Sequence, residues 1–296
     1  MPGGRTPGRA AVTRGGLGRI VPLLRAPRYE VLPAPGVEDA VLAWVPREVT
    51  VTVTASPARG LEPTLALTER LSAHGYATVP HLSARLVADS AQLADIVARL
   101  TAAGVSDVFV PAGDADPPAG AFHSALDLLD QLTAMGRPFA RVGITGYPES
   151  HPKIEDDITV QAMWDKRHHA TYIVSNVCFD AAVLRRWITR IRARGVTLPL
   201  LVGLAGPLER TRLLRMAALS GVTESARFLA GHADWLIRLG LPGGYHPERF
   251  LERAAVTLAD PAAVVEGLHV FTFNQLEQTE QWRAALVARL SAGVRR

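Results

Sequence analysis

Short apolar runs recur along the chain, and longer amphipathic segments separate most of them. Eight of these runs are rich in β-branched residues and are bounded by polar or turn-forming residues, which is typical of strands. They cover residues 28–32, 49–54, 76–80, 107–111, 141–145, 171–175, 198–204 and 268–273. Their nearly continuous apolar character favours parallel strands that are covered on both faces.

The segments between these runs carry apolar residues at the helical spacing of i, i+3, i+4 and i+7. Gly75, Gly104 and Gly195 each close such a segment, and glycine is preferred where a helix ends. Eight strands that alternate with helices over about 250 residues are typical of a (β/α)8 barrel. We therefore predict an α/β protein of the TIM-barrel type, with two or three extra helices between residues 204 and 268. An open doubly wound sheet is the alternative, but no GxGxxG follows the first strand to support it.

Composition and charge narrow the class of protein. The chain is 48% hydrophobic and 20% charged, as expected for a globular protein with a large core. No apolar run approaches the roughly 20 residues that cross a bilayer, so no membrane partner is expected. Residues 1–28 hold six arginines and no acid, and subtracting them from the formal net charge of +4 leaves −2 for the remainder. The body of the protein is thus not basic, and nucleic acid is not an expected partner.

Domain organisation follows from the same distribution. The first residues are rich in glycine, proline and arginine, and they lack the apolar core and cleavage site of a signal peptide. We predict a disordered leader over residues 1–27 and a single barrel domain over residues 28–296. Cys178 is the one cysteine, so no internal disulfide can form, and a cytoplasmic location is expected.

Several chemistries lack their sequence motifs. The chain has no GxSxG, Walker loop or CxxC, which argues against the corresponding hydrolase, phosphoryl-transfer and thiol-redox sites. His168 and His169 are adjacent, and adjacent side chains on a helix point about 100° apart. They cannot readily share one ion, so we expect no metal site.

The barrel predicts where the chemistry lies. Active sites of such barrels are built at the carboxyl ends of the strands. The polar residues at these ends should therefore converge, and they are Glu30, Thr54, His81, Asp114, Tyr147, Glu149, His151, Asn176 and Asn274. In the stretch GYPESHP (146–152), two prolines forbid a helix and stiffen the loop after the fifth strand. We expect this loop to form part of a preorganised wall.

Six motifs in this chain resemble those of the methylenetetrahydrofolate reductase family, across most of residues 28–292. The family motifs FEFFPP, PHL, RGD, AYPEVHP, TQFFFD and TLNR occur in that order. Their counterparts here are RYEVLP (28–33), PHL (80–82), AGD (112–114), GYPESHP (146–152), SNVCFD (175–180) and TFNQ (272–275). No single motif is decisive, but six in the same order at barrel-compatible spacing are specific.

The resemblance implies an activity and assigns roles. Family members reduce 5,10-methylenetetrahydrofolate to 5-methyltetrahydrofolate, and a bound FAD relays the hydride from a nicotinamide. By resemblance, Glu30 is the general acid that opens the five-membered ring to an iminium cation, and Asp114 stabilises that cation. The residues that the resemblance assigns to folate binding are Asp114, Asn176, Asn274 and Gln275. A carboxyl group at an apolar strand end can stay a proton donor near neutral pH, which agrees with the role of Glu30.

The cofactor side departs from the family pattern. The residues that the resemblance assigns to cofactor binding are Thr54, His81, Gly113, Tyr147, Glu149, His151 and Lys166. However, Ala112 replaces the arginine of RGD, Ala55 replaces the tyrosine of VTYG, and AMWDKRHHAT stands where the family has LKRKVDAGA. A diphosphate needs several charge-assisted partners, each contributing about 1.5–3 kcal/mol. We therefore expect direct hydride transfer from NADH without bound FAD.

Three alternatives stay open. The same reaction through a bound FAD is supported by the retained Thr54, His81, Tyr147, His151 and Lys166. A barrel that binds a reduced folate without turnover is the second, although Glu30 is present. An oxidoreductase for another pterin or imine is the third. A homo-oligomer is also open, because family members often form dimers or tetramers.

Overall fold

The structure is a computed structural model that describes residues 17–151, 154–207 and 246–293. Its strands are β1 Arg28–Val31, β2 Thr50–Val53, β3 Thr78–Pro80, β4 Asp107–Phe109, β5 Arg141–Gly146, β6 Tyr172–Ser175, β7 Leu200–Ala205 and β8 Val265–Phe271. The described helices are α1 Val21–Arg25, α2 Val37–Trp44, α3 Glu62–Ala73, α4 Ser90–Ala102, α5 Ala125–Ala134, α6 Asp156–Lys166, α7 Ala181–Ala193, α8 Pro247–Leu258 and α9 Leu276–Gly293. Short 3₁₀ helices cover Ala84–Leu86 and Pro261–Ala263.

The eight strands form one parallel sheet in the order β3-β2-β1-β8-β7-β6-β5-β4. A parallel bridge between His81 and Phe109 joins the two end strands, β3 and β4. Beyond the strands, the Ala84 and Arg85 N–H groups donate to the carbonyls of Pro111 and Ala112 at 3.0 and 2.9 Å. The sheet thus closes into a (β/α)8 barrel, which confirms the predicted fold. Of the extra helices, α8 is present, and the segments 207–221 and 223–240 lie almost entirely outside the described residues.

The helices cover the barrel with one apolar face each. Leu93, Ile96 and Leu100 form the buried face of α4, and the Asp89 side chain caps this helix by accepting the Gln92 N–H at 2.8 Å. Such a cap satisfies one of the free N–H groups at a helix start. Within the described residues, no helix combines the length and apolar character that crossing a membrane requires.

The barrel interior is packed, with an apolar layer between two polar ones. Val79, Phe109, Val174 and Leu201 form the apolar layer together with the ring of Tyr172, whose hydroxyl reaches the layer below. Interior side chains of this kind make such a barrel a core and not a pore. The polar layer at the carboxyl end contains Glu30.

The polar layer at the amino-terminal end consists of Arg28, Asp107, Arg141 and Tyr172, here called the floor network. Arg28 donates to the Tyr172 hydroxyl and to the Asp107 carboxylate, both at 2.8 Å, and the Tyr172 hydroxyl donates to Asp107 at 2.7 Å. Arg28 and Arg141 also lie against the Tyr172 ring, 4.5 and 4.9 Å from its centroid. Gly143 makes room for that ring, because a Cβ atom at this position would lie 2.4 Å from it.

The start of the domain differs from the prediction. Residues 1–16 of the predicted leader lie outside the described residues, but residues 17–27 belong to the barrel domain. Ile20 and Leu24 are fully buried, and Arg283 of α9 donates to the carbonyls of Leu24 and Arg25 at 3.1 and 2.9 Å. The apolar positions of this short helix are spaced for burial, although glycine and arginine surround them.

Candidate active site

Glu30 lies at the centre of the polar layer that faces the mouth, the carboxyl end of the barrel. Its side chain is 8% exposed, and its Oε2 atom lies 3.0 Å from Nε2 of His269 and 3.8 Å from Nε2 of His81. Thr52, its register partner on β2, carries a buried hydroxyl that has no hydrogen-bond partner among the described residues. In the described part of the chain, no lysine or arginine lies within ion-pair distance of Glu30. The predicted acid is therefore a nearly buried carboxyl group between two imidazoles.

His269 belongs to the site although the strand-end pattern did not include it. It lies within β8, two residues before the strand ends, and is 1% exposed. Its ring packs at 5.0 Å from that of Phe271, the next residue on the same face of β8. An ionisable residue inside an apolar strand is the signal that could have found it, since such groups cluster at functional sites.

His81 follows β3 and faces Glu30 from the other side. Burial is the main cause that lowers the pKa of His81 to about 4, and the nearby His269 lowers it further, whereas the Glu30 carboxylate raises it. The ring contacts Phe109 edge-on, with 4.6 Å between centroids. His81 is therefore a neutral imidazole at neutral pH.

The low pKa of His81 predicts a loss of stability in acid. An unfolded histidine takes up its proton near pH 6.5, before the folded one does, so protons favour the unfolded chain. The stabilisation is complete above pH 6.5 and is lost as the pH falls towards 4, by about 3 kcal/mol. Urea unfolding of His81→Gln over this range should show a flatter pH dependence than the wild type. The exposed His168→Gln is the control, and an unchanged slope in His81→Gln would contradict the prediction.

Asp114 and Tyr147 lie near each other on the loops after β4 and β5. Asp114 is exposed, and no hydrogen bond to its side chain occurs in the described residues. Gly113 sets this loop, with φ of +85° and 2.9 Å between a Cβ built there and that of Ser83. Burial is the main cause that raises the pKa of Tyr147, which is hydrogen-bonded to Thr145, and the charge of Asp114 raises it too. A negative charge thus stands beside a buried phenol at the mouth.

Side-chain contacts hold the described part of the loop after β5, and Glu149 contributes to them. The rings of Tyr147 and His151 stack edge-to-face with 4.8 Å between centroids. Oε1 of Glu149 accepts the N–H groups of Phe179 and Asp180 at 2.8 and 3.1 Å. This carboxylate oxygen joins the loop after β5 to the loop after β6, so it acts within the wall of the site.

The three amides predicted to bind folate have different surroundings. Oδ1 of Asn176 accepts the Val177 N–H at 2.9 Å. Asn274 bonds the backbone of Leu32 through both amide atoms, each at 2.9 Å, so it joins the ends of β8 and β1. Gln275 is 1% exposed, and neither of its amide atoms has a partner within the residues that the structure describes. An unpaired buried amide is costly, so Gln275 is a stronger candidate for a ligand contact than Asn274.

The two remaining cofactor candidates are separated. Thr54 follows β2 at the mouth, where its N–H donates to the Val31 carbonyl at 2.9 Å. Lys166 is the last residue of α6, and His169 just beyond it bonds Thr133 near the end of α5 at 2.8 Å. This is the amino-terminal side of the barrel, because α6 runs antiparallel to the strands. The structure therefore does not bring Lys166 to the mouth, and burial lowers its pKa where it lies.

Two arginines on the mouth side were not among the predicted residues. Arg59, in the loop after β2, donates to the Pro33 carbonyl at 3.1 Å. Arg85, just after β3, pairs with Asp116 at 3.3 Å, and its Nε atom is buried without a partner. By contrast, Ala55 and Ala112 are partly buried and pack against the hydrophobic core.

Comparisons with known proteins identify the family of the chain. The sequence profile of the methylenetetrahydrofolate reductase family matches residues 39–231, more than half of the chain. Methylenetetrahydrofolate reductase 2 of Saccharomyces cerevisiae is 25% identical over 105 residues, which are 34% of this chain and 18% of the yeast protein. Two structures of oxaloacetate acetylhydrolase resemble the chain at 12% and 13% identity, with TM-scores of 0.46 and 0.47. The matched regions cover 86% and 84% of this chain and 98% of each neighbour. On the family match, this chain belongs to the methylenetetrahydrofolate reductase family.

Proposed function

We propose that the protein reduces 5,10-methylenetetrahydrofolate to 5-methyltetrahydrofolate with a hydride from NADH and without a bound flavin. The observation that carries the proposal is the position of Glu30, nearly buried at the mouth of a barrel of this family. A carboxyl group at this position is placed to act as a general acid on a bound substrate. The proposed compartment is the cytoplasm, since the one cysteine is a free, buried thiol.

The proposed mechanism needs one proton and one hydride. Glu30 gives its proton to a nitrogen of the five-membered ring as the C–N bond to the methylene carbon breaks. The resulting iminium cation accepts the hydride at that carbon and becomes the methyl group, while NADH becomes NAD⁺. Asp114 lies on the mouth side and would stabilise the cation by its charge. A barrel wall that fixes these groups before the substrates arrive lowers the cost of orienting them.

The residues at the family's flavin positions do not fit a diphosphate. Ala55 and Ala112 offer no donor there and pack against the core, and Lys166 lies on the other side of the barrel. Of the two arginines on the mouth side, Arg59 donates to the Pro33 carbonyl and Arg85 pairs with the exposed Asp116. A diphosphate bound without charge-assisted partners loses most of its binding free energy. These features support direct transfer from the nicotinamide.

A spectrum and an assay test the proposal. The purified protein should lack the visible absorbance of a flavin, and it should oxidise NADH with methylenetetrahydrofolate at the same rate with and without added FAD. A yellow protein, or activity only with FAD, would contradict the flavin-free reaction and favour the flavin-dependent one. Tight folate binding without turnover in either condition would favour a non-catalytic barrel.

Asp114→Asn is expected to lower kcat about 10-fold without changing thermal stability. The amide keeps the size of the side chain but removes the charge that faces the cation, and fixed charges at a site are among the larger contributions to catalysis. Initial rates at saturating substrates and a melting curve measure the two effects. Asp116→Asn, in the same exposed loop, is the control. A wild-type rate in Asp114→Asn would leave Asp114 as a loop residue only.

A further inference from the structure

The two carboxylate oxygens of Glu30 have different surroundings. Oε2 lies 3.0 Å from Nε2 of His269 and 3.8 Å from Nε2 of His81. Oε1 has no hydrogen bond in the described residues, and it is not one of the atoms that are both buried and unpartnered. Oε1 is therefore the oxygen that is open to the mouth.

The surroundings of His269 decide which ring nitrogen carries its proton. Nδ1 is buried and has no partner among the described residues, whereas Nε2 faces the carboxylate. A buried N–H without an acceptor costs about 1–3 kcal/mol, and a carboxylate is an acceptor only. The proton therefore belongs on Nε2, from which it is donated to Oε2 of Glu30.

No other charged group disturbs this arrangement among the described neighbours. On β7 the register partner of His269 is Gly203, which has no side chain, and on β1 it is Arg28, whose guanidinium belongs to the floor network. The ionisable groups that face His269 are Glu30 and His81, and His81 is neutral. The tautomer of His269 is thus set by Glu30 alone.

We infer that His269 is a positioning residue: its Nε2–H fixes Oε2 of Glu30, so that Oε1 carries the proton that is transferred to the folate. A proton on Oε2 would displace the Nε2–H and force it to Nδ1, where the described part of the chain offers no acceptor. The step moves one proton from Oε1 to the ring nitrogen, and solvent at the mouth restores it. The role in proton transfer rests on the proposed function, whereas the tautomer does not.

Two amide substitutions separate the role of Nε2 from that of Nδ1. The Gln amide nitrogen is as many bonds from Cα as Nε2, and the Asn amide nitrogen is as many as Nδ1. His269→Gln should keep kcat within about threefold, while His269→Asn should lose about 10-fold or more, since small misplacements of a reacting group are costly. The KM for the folate should change less than about threefold in both, because Oε1 and the folate contacts remain. Equal kcat values in the two variants would overturn the inference.

The control is His169→Gln, which changes a histidine on the amino-terminal side and should keep wild-type kinetics. Melting curves of both His269 variants identify any loss that comes from unfolding. If His269→Asn does not fold, the inference is tested by the ring ¹⁵N chemical shifts of histidine together with the kcat values of the wild type and His269→Gln.

Ring ¹⁵N chemical shifts test the tautomer without any turnover. In protein labelled at histidine, the signals that vanish in His269→Gln should show a protonated Nε2 and a bare Nδ1. A proton on Nδ1 would overturn the positioning role of His269 even in an active enzyme. A protonated Nε2 in a protein that does not reduce the folate would instead overturn the proposed function, and with it the role of Oε1.

Discussion

Glu30→Gln is expected to lower the kcat of folate reduction by about 100-fold or more, the usual contribution of a positioned acid. The amide has the shape of the carboxyl group and can still accept a hydrogen bond from His269, but it cannot transfer a proton to the substrate. Folding and folate affinity should stay close to those of the wild type, because no described lysine or arginine depends on this carboxylate. Steady-state rates, a folate titration and a melting curve measure the three quantities.

The matched control is Glu62→Gln, which changes an exposed carboxylate paired with Arg99 on the surface. Surface pairs of this kind contribute about 0–1 kcal/mol, so this variant should behave as the wild type does. A Glu30→Gln enzyme that retains most of its activity would end the assignment of Glu30 as the acid. A loss of folate affinity equal to the loss of rate would assign it to binding.

Arg28→Met is expected to lower the free energy of unfolding by about 3 kcal/mol, because removing one partner of a buried ion pair leaves the other uncompensated. Arg28 is 9% exposed and serves both Asp107 and the Tyr172 hydroxyl. Arg141 remains as a second cation, with its Nε atom 3.3 Å from Asp107. The expected loss of stability is therefore at the lower end of the range for broken buried ion pairs. Urea unfolding followed by circular dichroism measures the difference.

Arg99→Met is the control for this experiment. Arg99 bonds Glu62 and Glu69 in the partly exposed surface network between α3 and α4, where solvent screens the charges. Its loss should cost less than about 1 kcal/mol. Equal and small effects in the two variants would show that the floor network adds nothing beyond an ordinary surface pair.

The sequence was sufficient for the fold and for several residues at or just after the carboxyl ends of the strands. Alternating strands and helices leave little choice of architecture, and carboxyl ends of parallel strands meet at one face. Glu30, His81 and Tyr147 accordingly lie at the mouth, where the pattern placed them.

Residues whose role depends on a distant partner could not be placed in this way. Asn274 follows a strand, yet its amide is taken by the backbone of Leu32, 242 positions away in the chain. Lys166 was aligned by a helix motif, but the direction of α6 carries it to the other side. The strand-end pattern does not identify His269, because it lies within β8. Only the closed barrel shows that it faces Glu30.

The floor network also bears on how the two substrates of the proposed reaction meet. Among the described residues, Arg28, Asp107 and Tyr172 and the apolar layer above them fill the barrel below Glu30, so a folate would approach Glu30 from the mouth. A nicotinamide that delivers its hydride directly must use the same entrance while the folate is present. In the proposed reaction the partner that lies deeper would then bind first and leave last, so the filled interior of the barrel would set an order of binding at its other end.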